Sequence, residues 1–108
     1  MSISDVEAKI RSAVADAKAR GWKVRPCNYV SWHNKTCCPL AACVIEKVEQ
    51  YGNQPGVDSQ IRGWASEALG IRVIEALDFV VGFDNENALP YGNDFRDLGR
   101  RLQDVVDR

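Results

Sequence analysis

Residues 37–45 run for nine positions without a polar side chain: Cys-Cys-Pro-Leu-Ala-Ala-Cys-Val-Ile. This stretch constrains the fold more than any other. A helix that is apolar on every side has to be enclosed, and this one is under half the roughly 20 residues needed to cross a bilayer. It therefore reads as a central rod about which the other segments wrap. Pro39 suits a first helical turn, where its missing N–H costs nothing. The helix should turn amphipathic at Glu46, Lys47 and Glu49 and end before Gly52.

The rod needs partners, and the flanking sequence supplies them. Val6, Ile10, Ala13, Val14 and Ala17 recur at helical spacing. Ser4 with Glu7 three residues on reads as a capping box, and Gly21 as the stop. Asp58 or Ser59 should cap a helix carrying Ile61, Trp64, Ala65, Ala68 and Leu69, closed by Gly70. Residues 72–83 read as a further helix, with Val73, Ile74, Ala76, Leu77, Val80 and Val81 buried. Asn93 or Asp94 should start a last helix with a stripe of Phe95, Leu98, Leu102, Val105 and Val106. Gly99 inside that stripe costs about 1 kcal/mol relative to alanine, which a close backbone approach would explain. Strand-favouring residues cluster at 22–25 and 29–32, with Pro26 between them. The expected fold is mainly α, or α+β, with about five helices around one core and a short β-hairpin near residues 22–32. At 108 residues, with 45% hydrophobic and 27% charged, the chain 1–108 is expected to form one globular domain.

The first residues show no basic start and no apolar stretch, so a cytoplasmic protein with reduced cysteines is expected. A net charge of −1 excludes a bulk polycation. There is no Gly-rich phosphate loop, no nucleophile elbow and no paired-histidine zinc motif, so no cofactor is expected.

Cys27, His33, Cys37, Cys38 and Cys43 place five potential ligands within residues 27–43, but without a Cys-x2-Cys knuckle. If a catalytic or redox centre exists it would use Cys37 and Cys38 with His33 as base. If a metal site exists it would add Cys27. Packing sulfurs are the simpler reading, since free cysteine behaves as a small hydrophobe.

Charge is unevenly spread. Residues 1–36 hold seven basic and three acidic groups, and residues 37–95 hold three and nine. Lys18, Arg20, Lys23, Arg25 and Lys35 alternate with Trp22, Tyr29, Trp32 and His33, a mixture that suits weak single-stranded nucleic-acid binding. A solvated basic face is the plainer account, and nucleic acid is not the expected partner. Residues 84–92 form a long polar loop in a stretch with no basic residue from 73 to 95. A protein contact is the leading expectation, carried by Asp84, Asn85, Glu86, Leu89 and Tyr91 on one side and Trp22, Lys23 and Arg25 on the other. The two charged regions could also pair between copies as a homo-oligomer. This describes a non-catalytic accessory protein of the inhibitor or immunity type found in bacteria. The thiol or zinc site is the alternative.

Overall fold

The computed structural model describes residues 2–26, 28–85 and 94–107. Helix α1, Ile3–Ala19, buries Val6, Ile10, Val14 and Ala17. Its cap is Ser2, not Ser4: the Ser2 hydroxyl accepts from the Asp5 N–H at 3.2 Å. Glu7 is therefore free of cap duty. It pairs instead with Arg11 at 3.0 Å and Arg101 at 3.1 Å, and these two guanidiniums hold its carboxyl below its ordinary range.

Three two-residue strands follow: β1 Lys23–Val24, β2 Val30–Ser31 and β3 Thr36–Cys37. β1 and β2 fall where the sequence places strands, but β3 is not expected from it, and it changes the pairing. β1 and β2 do not touch as a hairpin, because β3 lies between them. β3 runs antiparallel to β2 and parallel to β1, with Val24 opposite Cys37. The hairpin is thus β2–β3, turning through Trp32 to Lys35, and Lys35 takes the left-handed conformation at φ 51°. Inserting β3 lets both neighbours bond to one buried strand. The Arg25 N–H donates to the Cys37 carbonyl, and the Cys38 N–H donates to that of Tyr29.

Pro39 sits in the first turn as expected, with Cys38 as the cap, but the rod is not one helix. α2, Pro39–Ala42, is a single turn, and α3 spans Ile45–Tyr51. Val44 at φ −128° and ψ 38° breaks the path between them. The break re-aims the chain, so that Ile45 and Val48 point inward while Glu46 and Lys47 face solvent. A straight continuation of an all-apolar turn has no such choice. Cys37, Cys38 and residues 39–42 are all buried.

α4, Val57–Leu69, starts after Gly56 and not at an Asp58 or Ser59 cap; Ser59 donates back to the Gly56 carbonyl. Gly70 closes it at φ 69°. α5, Val73–Asp84, and α6, Asp94–Arg101, form the closest helix pair, and a 3-10 turn, Leu102–Val105, continues α6. Gly82 and Gly99 are the reason for that closeness. A Cβ on Gly82 would collide with the Arg96 carbonyl, and one on Gly99 with that of Phe79.

Residues 101–107 return to α1 and the sheet. Arg11 binds Asp104 at 3.1 Å, and Lys18 donates to the Val105 carbonyl at 2.7 Å. Val24 and Asp107 bond reciprocally: the Val24 N–H donates to Asp107 Oδ2 at 2.8 Å, and the Asp107 N–H to the Val24 carbonyl at 2.9 Å. Asp107 so covers the outer edge of β1, where an unpaired strand edge would otherwise invite another chain. The architecture is mainly α with a small mixed sheet.

Candidate functional site

The sulfurs lie in three different local settings. Cys37 is in β3, Cys38 caps α2, and Cys43 follows α2; all three are free thiols. Cys38 Sγ accepts from the Ala41 N–H at 3.5 Å, a structural task. Burial pushes the Cys37 and Cys43 thiols up to about 12 and moves Cys38 the same way. The thiolate is the nucleophile and the metal ligand, so this shift opposes both chemistries. His33 sits in the exposed β2–β3 turn and lines a groove with Trp32 and residues 53–56, and no described cysteine lines that groove. Among the described residues no group of three or more His, Cys, Asp or Glu side chains is placed to hold a metal ion. Cys27 lies outside the described residues.

The basic-aromatic segment is largely spent on internal contacts. Trp22 is only 3% exposed, and its Nε1–H donates to Glu49 at 3.1 Å. Its ring meets Trp32 edge-on at 6.0 Å. It belongs to the core and offers no stacking platform or partner contact, which corrects the expectation placed on it. Arg20 is bound by Glu49 at 2.7 Å, Asp16 at 3.2 Å and Glu46 at 3.4 Å. Lys18 is bound by Asp107 at 3.3 Å, and Lys35 sits over the Trp22 ring at 5.6 Å. Lys23 and Arg25 are the two of the five cations left exposed with no ion pair or ring contact shown among the described residues.

Two of the residues singled out for a protein contact do come together. Arg25 and Asp84 line one cleft of about 460 Å³ at the C-terminal end of α5, with Pro26, Phe83 and Asp107 among its walls. Asn85 follows at the helix end and is exposed. Lys23 is on β1. Glu86, Leu89 and Tyr91 lie outside the described residues.

The largest departure from the sequence reading is α5 itself. Val73, Ile74, Leu77, Val80 and Val81 are not buried. Val73 is 49% exposed, Ile74 55% and Val81 42%, while Leu77 and Val80 are half-buried. Ala76, Phe79, Gly82 and Phe83 hold the inner face, where the two phenyl rings stack at 6.1 Å. The reason is geometric. α5 is apolar nearly all round, but its main helix neighbours, α4 and α6, take one side, with Val80 packed against the core at the flank. Its periodicity carries no polar marker to say which side that is. The remaining side is an aliphatic stripe, Val73–Leu77–Val81 with Ile74 beside it, bordered by Asp78 and ending at Asp84. The available signal was quantitative: a twelve-residue helix with three polar side chains presents more apolar surface than two neighbours can cover.

Comparison of the chain with family models, curated proteins and solved structures finds no match. Among the described residues no helix is long and apolar enough to cross a membrane.

Proposed function

We propose that this chain is a non-catalytic binding protein that docks another protein on the outward side of α5. In this reading it is an accessory protein of the inhibitor or immunity type, working in the cytosol. One observation carries the reading: three large aliphatic side chains of α5 stand about half exposed in one stripe. Aliphatic side chains exposed side by side on one helix support reading that side as a docking surface. The cleft lined by Asp84 and Arg25, at the C-terminal end of α5, adds a polar anchor. From residue 73 to 95 the chain holds no lysine or arginine. The partner should therefore present an apolar ridge edged by basic groups.

The test compares wild-type protein with the Ile74→Asp/Val81→Asp double variant as immobilised baits. Expected is one stoichiometric protein held by the wild type, weakened by salt and lost from the variant. Equal capture by both baits, or no stoichiometric protein on either, overturns the reading.

A further inference from the structure

We propose that the outer edge of β2 takes up an extended peptide segment of another protein, which adds to the three-stranded sheet as a further strand and lays an apolar and a basic side chain in the groove beside it. This site is separate from the α5 stripe and does not rest on it. The pairing of β2 with β3 fixes which of its backbone groups are already used. In an antiparallel ladder, opposed residues alternate between bonded and non-bonded pairs. The Cys38 N–H donates to the Tyr29 carbonyl at 2.9 Å, so Tyr29 and Cys38 form a bonded pair. Val30 and Cys37 are then a non-bonded pair, and the Cys37 carbonyl turns the other way to accept from the Arg25 N–H. The Val30 N–H and carbonyl therefore face away from the sheet. Among the described residues neither takes part in a hydrogen bond.

The opposite edge of the sheet shows what such groups accept. At β1 the Val24 N–H donates to the Asp107 carboxylate, and the Val24 carbonyl accepts from the Asp107 N–H. Asp107 arrives there from Val106, whose backbone is extended at φ −66° and ψ 130°. The chain thus covers that edge with an extended segment of its own. At β2 the strand order ends and no described segment does the same. An outward N–H and carbonyl on one residue match the main chain of an added strand, and strand addition is how a sheet edge recognises an extended peptide.

Main-chain bonds carry no sequence preference, but the groove does. Val30 and Trp32 lie two residues apart, hence on one face of the strand, and with His33 they line a groove of about 390 Å³. Residues 52–58 form its other wall, with Pro55 and Asp58 among them. A strand laid against Val30 turns alternate side chains to this groove. Trp32 and Pro55 suit an apolar side chain there. Asp58 is exposed, is the one carboxylate of the described lining, and has no ion pair among the described residues. No described lysine or arginine lines the groove. That charge selects a lysine or arginine on the same face of the peptide. β2 is two residues long, so backbone pairing alone is weak, and the side chains in the groove decide which peptides stay.

The probe is a displayed library of random nine-residue peptides, panned on the wild-type chain. Expected is enrichment of peptides that carry an apolar and a basic residue on one face and no central proline. The tightest of them, synthesised, is then N-methylated one residue at a time. Blocking the N–H that reaches the Val30 carbonyl should weaken binding about tenfold, and blocking the residue on either side less than about twofold. Val30→Pro removes a donor that the β2–β3 ladder does not use and should also cost about tenfold, with the circular dichroism unchanged. Hydrogen exchange gives the same answer without a substitution: the Val30 N–H of the wild type should exchange freely and become protected when the peptide is added. Asp58→Asn should cost about threefold. Ile74→Asp/Val81→Asp should hold the peptide as the wild type does, and loss of binding there overturns the independence of the two surfaces. No enriched peptide, a flat N-methyl scan, or a Val30 N–H that stays unprotected in the complex overturns strand addition. A wild-type dimer dissolved by Val30→Pro also overturns the proposal, since it gives the edge to a second copy.

Discussion

The turn α2 and the helix α5 are the two most apolar segments of the chain, and the fold treats them in opposite ways. α2 is enclosed by α1, α4 and β3, and every residue in it is buried. α5 is gripped along one side by α6 and α4 and leaves its other side in water. Apolar composition therefore measures how much surface a segment offers. The number and placement of neighbours decide how much of it is covered. A short turn of small residues is easily surrounded, while a helix of three turns needs a partner on each side.

That contrast between covered and uncovered sides can be broken by substitution. The largest effect is expected on the inner side of α5. Gly82→Ala combined with Gly99→Ala forces methyl groups into the opposing backbones and should cost more than about 4 kcal/mol, the tail reached by overpacking a tight core. Chemical denaturation would read it, and a loss under about 1 kcal/mol would mean the helices separate freely. Next comes the rod. Leu40→Ala removes a fully buried side chain and should cost about 3 kcal/mol by the same measurement.

Asp107 is a polar yardstick between these extremes. The Val24 N–H, with Lys18 beside it, holds its carboxyl below the ordinary value. A depressed folded value means the contribution is present above the unfolded carboxyl pKa of about 4 and is lost as pH falls through the lower folded one. Asp107→Ala should cost about 1 kcal/mol at neutral pH and nothing in strong acid, so the stability curves of the two proteins should converge below about pH 4. The smallest effect belongs to the outer side of α5. Ile74→Ser should change stability by no more than about 0.5 kcal/mol. A loss of 2 kcal/mol there would show the stripe to be core after all.

Much of this architecture was legible in the residues, and the exceptions share a cause. The α1 stripe, Pro39 in its first turn, the Gly70 stop and the closeness implied by Gly99 each depend on local chemistry or on a period that alternates with polar residues. The β1–β3–β2 order depends on which segment lies between which, and two-residue strands carry no pattern long enough to say. The break at Val44 relieves a problem of aim that exists only once neighbours are in place. Trp22 cannot be placed from the sequence, because a tryptophan among lysines looks the same whether its ring is stacked outward or plugged inward. The choice is made by Glu49, twenty-seven residues away, which accepts its indole N–H. Of the candidate surface, the shared cleft of Arg25 and Asp84 was not legible, because it depends on how β1 and the end of α5 are brought together. The α5 stripe was hidden by the assumption that apolar means covered.

The reciprocal bonds of Val24 with Asp107 tie β1 to a residue 83 positions later, and the bonds of Arg11 with Asp104 and of Glu7 with Arg101 tie α1 to residues 93 and 94 positions later. During synthesis the ribosome releases α1 and β1 long before their counterparts exist. Until then the β1 margin has no cover and α1 lacks its ionic fasteners. Contacts at such separation slow the final closure of a chain. A nascent chain of this protein would thus spend an interval with an adhesive sheet margin on display, the period in which chaperone protection matters most.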